Sequence, residues 1–358
     1  MGKHIGLRSV ALLLVLALLL PAAGCAGPAA SFSDGQMPVS SQEEQSRVEA
    51  VELSIACVDP VGSLTEELLM DCAAQWRKET GGRADVDIYA GGPLGDDQLL
   101  LTGAVQGTLS VVKTDVCFQE NVVPESALLA IPYTFDSPDE LLELMAGPYG
   151  EVFRSYYERA GLRLLHTAPL SWKYITASVP VRTAADLGRL QIRVLDNPAE
   201  KRFWRACGAD PRTLEDTKLY MDLKEGTVNA QESSLEAVQS FSLAEVQDYL
   251  IDAGHQLNVH TFVMNLEQYN ALPDDIQIEL GEWLENFSAQ YLRTLEEGGV
   301  QTLQQLEEEG MSRSVLPAAV RRHMEEAREP VIQELRQTLG DEAVDQFLNA
   351  VAEVKSQS

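Results

Sequence analysis

The strongest constraint on the fold is a regular succession of strand and helix patterns that begins near residue 50. Apolar and polar residues alternate at 51–55 and 85–89, and a third strand pattern covers 108–113. Between them lies one helical pattern that Ser63 and Glu66 can cap as a capping box, and a second that starts at Asp96 or Asp97. This β-α-β-α-β order is typical of a parallel sheet covered by helices.

The rest of the chain continues in the same style. We expect strands at 162–166, 172–178, 190–196, 228–230 and 259–265, and helices at 139–145, 151–160, 183–187, 198–207, 216–225, 274–309, 317–339 and 342–354. The helix at 274–309 would be on the order of 50 Å long, enough to run along two small domains. We therefore predict an α/β protein of two lobes, each a mostly parallel sheet flanked by helices, with a long helix spanning both and a cleft between them. Lobe I would hold 48–170 plus about 258–290, and lobe II 171–257 plus about 291–358.

The first 47 residues are not expected to belong to this fold. Residues 1–24 have a basic start and an apolar run that is too short for a mature membrane helix, as in an export signal. Small residues directly before Cys25 favour lipidation of that cysteine, although Ala22 stands where such signals usually have leucine; simple cleavage is the alternative. Residues 25–47 are rich in Ala, Gly, Pro and Ser and predict a flexible tether.

Charge and cysteines narrow the function. The chain has 27 basic and 55 acidic residues, a net charge of −28, which disfavours nucleic acid as a partner. Cys57, Cys72, Cys117 and Cys207 show no metal or redox spacing, so they are buried thiols or contribute one disulfide among the first three. Nucleotide-binding, hydrolase and metalloprotease motifs are missing from the sequence. We therefore expect that the protein binds no cofactor and no metal ion and is not an enzyme.

One arginine stands out in the strand pattern LQIRVLD. Leu190, Ile192 and Val194 would face the core, and Arg193 lies on the other face near the end of the strand. Ligands of parallel sheets bind beyond the carboxyl ends of their strands. Arg193 is therefore a ligand contact, a solvated charge, or an ion-pair partner of Asp186 or Asp196.

Several segments together resemble the solute-binding proteins of tripartite ATP-independent periplasmic (TRAP) transporters, of the DctP type. They are, in family order, TGGRADVDIYAGGPLGDDQLL, AVQGTLSVV, AIPYTFDS, ADLGRLQIRVLDNP, EGTVNAQESS and VMNLEQYNALPDDIQ, followed by the long helix. The resemblance covers the chain from about Val51 to Val354. It implies a fold like that of periplasmic binding proteins, which closes on a small organic acid and delivers it to an ion-gradient-driven permease.

The resemblance, the N-terminal residues and the long helix together predict the location of the protein and its partners. We expect an extracytoplasmic protein, anchored by lipid on Cys25 at the outer face of the cytoplasmic membrane or in the periplasm. Its partners would be a small organic acid and TRAP-type permease subunits, and we expect a monomer, with a dimer through the long helix as the alternative. Two other functions stay open: a ligand-sensing subunit of a signalling receptor, and an exported α/β enzyme.

The resemblance assigns roles to particular residues. In the family, the arginine at the Arg193 position pairs with the ligand carboxylate, which suits a planar, always charged guanidinium. A second arginine of the family is replaced by Lys173, and Trp172 or Tyr174 beside it would cover the ligand. The positions expected to line the pocket are Arg193, Lys173, Asp97, Asp115, Asp216, Ser233, Trp172 and Tyr174. Because the departures from the family lie in the pocket, we expect a ligand other than the commonest acids.

Overall fold

The described part of the chain forms two β-sheets, one of five strands and one of six. The computed structural model describes residues 50–214 and 218–357, so the predicted signal, tether and Cys25, as well as Asp216, lie outside the described residues. The first sheet contains β1 (Val51–Ala56), β2 (Ala84–Tyr89), β3 (Val111–Asp115), β4 (Leu162–Trp172) and β10 (Leu257–Asn265). The second contains β5 (Tyr174–Ala177), β6 (Gln191–Val194), β7 (Asp210–Thr213), β8 (Ala230–Ser233), β9 (Tyr249–Asp252) and β11 (Ser312–Val315).

Helices cover both sheets. They are α1 (Leu64–Glu79), α2 (Asp97–Val105), α3 (Pro138–Ala146), α4 (Pro148–Arg159), α5 (Ala184–Leu187), α6 (Pro198–Ala206), α7 (Leu219–Glu225), α8 (Leu235–Ser240), α9 (Leu266–Asn270), α10 (Asp274–Glu308), α11 (Ala318–Glu326), α12 (Glu329–Leu339) and α13 (Asp341–Gln357). The α/β class is as predicted. The single helix expected at 317–339 is two helices, and Pro330 stands in the first turn of the second.

Each sheet is mostly parallel, as predicted, and contains one antiparallel strand. The first has the order β2-β1-β3-β10-β4, in which β10 runs antiparallel to both its neighbours. The second has the order β11-β9-β5-β8-β6-β7, in which β5 is the antiparallel strand. Each of these two antiparallel strands comes directly after the chain has crossed from one sheet to the other.

Three crossings connect the two sheets. Lys173 alone separates β4 from β5, and residues 253–256 separate β9 from β10. The backbone N–H of Lys173 donates to the carbonyl of Gln256 at 3.0 Å, so these two crossings lie side by side. The third crossing is α10, a helix of 35 residues. Its first half packs on α1 and β4, and its later part packs on α8, which lies beside the second sheet. The site described below lies beside the first two crossings.

The C-terminal helices return across the molecule. Helix α13, in the segment predicted for lobe II, packs against α3, while α12 packs against α6. One cluster of buried apolar side chains accordingly contains residues that pack on the first sheet together with residues that pack on the second. The lobe bounds stay a prediction, because contacts of this kind join the two halves.

The start of α1 shows how sequence sets local structure. The Ser63 hydroxyl caps the helix by accepting from the N–H of Glu66, as predicted. The Glu66 carboxylate reaches back to the N–H of Gly62 rather than to that of Ser63. On the buried face, Trp76 stacks on Trp283 of α10 with ring centroids 5.7 Å apart, so the cap and this stack fix α1 at both ends.

The four described cysteines are free thiols, and all are buried. Of the two alternatives for Cys57, Cys72 and Cys117, the buried-thiol interpretation is therefore the one that the structure has. Burial raises the pKa of Cys57 to about 12, so its thiol stays protonated at neutral pH. Within residues 50–214 and 218–357, no helix has the length and apolar character needed to cross a membrane.

Candidate functional site

A cavity of about 300 Å³ opens where the two sheets face each other. Its walls come from the first sheet's β3 and β10 and from the second sheet's β6 and β8, joined by the crossing at Lys173. The charged and histidine side chains in its wall are Asp59, Asp115, Lys173, Arg193, Glu200, Glu232 and His260. So many ionisable groups around one enclosed space mark a site for a polar ligand.

Arg193 enters this cavity from β6. Its strand is buried on the core side by Ile192 and Val194, and Arg193 itself is only 5% exposed. Its Nε donates to the carbonyl oxygen of Leu214 at 3.0 Å, which fixes the guanidinium group. Arg193 is therefore no solvated surface charge.

The two aspartates considered as ion-pair partners of Arg193 have other contacts. The carboxylate of Asp186 accepts from the Thr183 hydroxyl at 2.9 Å and closes the capping box of α5. Asp196 forms an ion pair with Lys201.

Lys173 lies at the crossing and is buried with Glu200. Its ammonium group hydrogen-bonds the Glu200 carboxylate, and the two side chains are 7% and 4% exposed. Burial alone would lower the pKa of Lys173, yet Glu200 and Glu232 raise it well above its ordinary value. The ammonium group is charged at neutral pH, and Glu200 neutralises it before any ligand binds.

Glu232 and His255 extend this pair below the cavity. The carboxylate of Glu232 lies 2.7 Å from Nε2 of His255, which is fully buried. Burial opposes the charge of Glu232, but Lys173 lowers the pKa of this carboxyl below its usual value. The His255 ring stacks on Phe203, with centroids 6.2 Å apart, so this part of the wall is held rigidly.

The opposite wall carries a second buried ion pair. Nζ of Lys113 donates to the two carboxylate oxygens of Asp59 at 2.9 and 2.7 Å. The same Nζ lies 3.1 Å from Nδ1 of His260. Burial would raise the pKa of Asp59, but Lys113 and then His260 reverse this and lower it well below its usual range.

Asp115 and Asp97 lie next to that pair. Oδ1 of Asp115 accepts from the N–H of Cys117 at 2.8 Å, and the N–H of Asp115 donates to Oδ1 of Asp97 at 3.1 Å. Burial and the charge of Asp115 raise the pKa of Asp97 to about 7. Asp115 lines the cavity and Asp97 supports it from behind; Asp96, not Asp97, caps α2.

The structure brings some of the predicted site residues together and separates others. Arg193, Lys173, Asp115 and Ser233 line one cavity. Trp172 and Tyr174 line a different groove, between α10 and α8, because neighbours of Lys173 along the extended chain point to the other side. The aromatic side chains in the wall of the cavity are instead Phe118 and Phe241.

The sequence interpretation missed four ionisable residues of the cavity wall, Asp59, Glu200, Glu232 and His260, and also Lys113 behind the wall. Lys113 and His260 carried the same signal as Arg193, a charged or polar side chain set in an apolar strand. Glu200 and Glu232 gave no signal among 55 acidic residues. No group of three or more His, Cys, Asp and Glu among the described residues is arranged to hold a metal ion.

Comparison with known proteins places this geometry in a family. The chain is 29% identical over 177 residues to a solute-binding protein of Roseobacter denitrificans, covering 49% of this chain and 54% of that one. It is 27% identical over 211 residues to the ectoine/5-hydroxyectoine-binding periplasmic protein UehA of Ruegeria pomeroyi, covering 57% and 62%. The matched stretches span about half to three fifths of these curated relatives.

Solved structures share the fold over nearly their whole length. A TRAP periplasmic solute-binding protein from Ochrobactrum anthropi superposes with a TM-score of 0.80 at 23% identity, covering 87% of this chain and 98% of that one. The sugar acid binding protein DctPAm of Advenella mimigardefordensis, in complex with galactonate, gives 0.76 at 21%, covering 86% and 99%. The family model described as DctP, bacterial extracellular solute-binding protein, family 7, matches residues 56–338. The chain therefore belongs to the DctP family of bacterial extracellular solute-binding proteins.

Proposed function

We propose that this protein captures a small organic acid anion outside the cytoplasm and delivers it to a TRAP-type permease driven by an ion gradient. The observation that carries the proposal is Arg193, a buried guanidinium group in the wall of a cavity between two sheets. A guanidinium matches a carboxylate with two parallel hydrogen bonds. Closure of the two halves around the ligand would exclude water from that pair.

The size and polarity of the cavity support a small ligand. A volume of about 300 Å³ lies at the lower end of the range for small-molecule sites. Micromolar affinity needs about −8.2 kcal/mol, more than one carboxylate pair supplies. Further hydrogen bonds to the polar wall and contact with Phe118 and Phe241 would provide the rest.

The relatives support an acid as the ligand class. Three similar structures contain a bound acid: a protein from Desulfovibrio salexigens binds orotic acid, one from Polaromonas binds D-erythronate, and one from Advenella mimigardefordensis binds galactonate. Each of these ligands belongs to its own protein. What they have in common is one carboxylate, which is the group that Arg193 is suited to bind.

The test is a thermal-shift screen followed by calorimetric titration. The panel would hold sugar acids, other mono- and dicarboxylates, and amino acids. We expect at least one acid to raise the melting temperature and Arg193→Ala to abolish that shift. The matched control is Arg212→Ala, because Arg212 stands at the same register on the neighbouring strand β7, exposed and paired with Asp210. An acid that binds equally well to both variants would overturn the proposal.

Anchoring at the membrane is a separate part of the proposal. Cys25 would carry the lipid that holds the protein at the outer face of the cytoplasmic membrane or in the periplasm, since small residues precede it after an apolar run. A single lipidated residue tethers a chain without spanning the bilayer. Cys25→Ser should move the protein from the membrane fraction to the soluble fraction; unchanged fractionation would contradict lipidation.

A further inference from the structure

Lys113 fixes the protonation pattern of His260. A lysine ammonium group has donors and no acceptor, so the 3.1 Å contact with Nδ1 of His260 requires Nδ1 to accept. In the neutral ring, the proton then sits on Nε2. Burial and the neighbouring Lys113 lower the pKa of His260 to about 4, so the ring is neutral at physiological pH. His260 therefore presents one N–H donor, at Nε2, toward Asp115.

Asp115 presents the matching acceptor. Its Oδ1 accepts from the N–H of Cys117, and its Oδ2 is the oxygen that faces Nε2 of His260. Its side chain is 9% exposed, and it lines the cavity. Oδ2 and Nε2 of His260 are 3.9 Å apart, too far for a direct hydrogen bond.

A single hydroxyl group fits between these two atoms. An oxygen about 2.8 Å from each would accept from Nε2–H and donate to Oδ2. A ketone oxygen cannot donate to Asp115, and an ammonium group cannot accept from His260. A methylene group would leave the buried acceptor and the donor unpaired, which costs free energy for both.

The charges around the cavity agree with a ligand that donates hydrogen bonds. Among its described wall residues are four carboxylates (Asp59, Asp115, Glu200 and Glu232) and two permanent cations (Lys173 and Arg193), with Lys113 behind the wall. A dicarboxylate would add two charges to a wall already rich in them. A monocarboxylate with hydroxyl groups adds one charge and several donors.

We infer that Asp115 and His260 form a hydroxyl-recognising subsite, and that the ligand is a hydroxy monocarboxylate with its carboxylate toward Arg193 and a hydroxyl toward this pair. This inference rests on the proposed function, because it assigns chemistry to the same cavity. It narrows the ligand class from organic acids in general to the hydroxy acids, of which aldonates are the simplest set to test.

The experiment compares ligands that share a carbon skeleton. Calorimetric titration would use D-erythronate and D-galactonate as hydroxy acids, with butanoate and hexanoate as their counterparts without hydroxyls, 2-oxobutanoate as a ketone and 2-aminobutanoate as an amine. We expect a hydroxy acid to bind at least about 100-fold more tightly than its deoxy counterpart, since a site built to bond a hydroxyl rejects the analogue lacking it. Equal affinity for both would overturn the inference.

Two variants test the residues themselves. Asp115→Asn keeps the contact with the N–H of Cys117 and places a second donor opposite His260, so hydroxy-acid affinity should fall about 100-fold. Asp196→Asn is the control, because it removes an exposed carboxylate that pairs with Lys201 and does not line the cavity, and it should keep the affinity within a few-fold. Equal losses in both variants would show a general charge effect and contradict the subsite. His260→Gln should weaken hydroxy acids and leave the melting temperature of the unliganded protein nearly unchanged.

The two proposals fail in different ways. If an amino acid, a ketoacid or a dicarboxylate binds more tightly than the hydroxy acids and its binding depends on Arg193, the subsite assignment is wrong and the proposed function stands. If no acid in the panel binds, the proposed function is wrong and the subsite falls with it.

Discussion

At the scale of single residues, buried charge decides most of what the site can do. Lys113 is fully buried and contacts both oxygens of Asp59, whose side chain is 16% exposed. Lys113→Met would leave Asp59 buried without its cation, and removing one partner of such a pair costs roughly 3–5 kcal/mol. We expect the free energy of unfolding, measured by urea titration, to fall by about that amount.

Two further variants make the Lys113 measurement specific. Adding Asp59→Asn to Lys113→Met removes the stranded charge and should recover most of the lost stability. Lys78→Met, at an exposed position of α1, should change stability by less than about 0.5 kcal/mol. If the double variant is no more stable than Lys113→Met alone, the ion pair is not what stabilises this wall.

Asp97 predicts a particular dependence of stability on pH. Its pKa in the folded protein is about 7, raised by burial and then by Asp115, against about 3.9 in an unfolded chain. The folded state thus holds this proton more tightly, so its contribution to stability is full below pH 4 and is lost as the pH rises to 7. Asp97→Asn removes this dependence, worth at most about 4 kcal/mol.

The check is a series of urea titrations of both proteins between pH 4 and 8. The variant should be the more stable protein at pH 8, and the difference should shrink as the pH falls to 4. A difference that is constant over this range would mean that Asp97 does not titrate there.

Single residues also show which parts of the site can be predicted from the sequence and which cannot. Arg193 was predictable because one cation interrupts an apolar strand pattern. Its surroundings were not, since Lys113 contacts residues 54 and 147 positions away in the chain. The sequence places Trp172 and Tyr174 beside the ligand only because they adjoin Lys173, whereas the alternation of an extended chain points their side chains into a different groove.

At the scale of elements, strong apolar patterns predicted well and edge strands did not. The long helix was expected at 274–309 and spans Asp274–Glu308. The strands β7 and β11, with sequences DPRT and SRSV, lie at the two edges of the second sheet and are mostly exposed. A polar edge strand buries little apolar surface, so it has no alternation to detect.

Helix α10 contains two adjacent glycines at Gly298 and Gly299. A side chain added at Gly298 would meet nothing within 4 Å, so no close contact requires glycine there. Glycine inside a helix is less stable than alanine by roughly 0.5–1 kcal/mol. Gly298→Ala should therefore raise the free energy of unfolding by about that amount in a denaturant titration.

The matched control is the same substitution at Gly226, which ends α7 with φ of 75°. Space is open there too, but alanine disfavours this left-handed conformation by roughly 1–2 kcal/mol. Gly226→Ala should thus destabilise the protein. If both substitutions had the same sign, backbone conformation would not explain either of them.

At the scale of the whole molecule, the negative net charge of the protein repels the anionic ligand that the cations of the site would attract. The chain carries a net charge of −28, while the proposed ligand is an anion that must reach Arg193 and Lys173 in the cavity wall. Beyond about 10 Å at 0.1 M salt, fields between charges are largely screened. The long-range repulsion acts on the approaching ligand, and the short-range contacts act on the bound one.

Added salt should therefore speed association, the reverse of the usual result for oppositely charged partners. Stopped-flow measurement of the binding acid between about 10 and 300 mM NaCl should show a rising association rate constant and a nearly constant dissociation rate constant. A neutral ligand of the same size gives the control, since its association should not depend on salt. An association rate that falls with salt would show that the cations of the cavity dominate the field already at a distance. In that case the acidic surface serves solubility and does not slow the approach of the ligand.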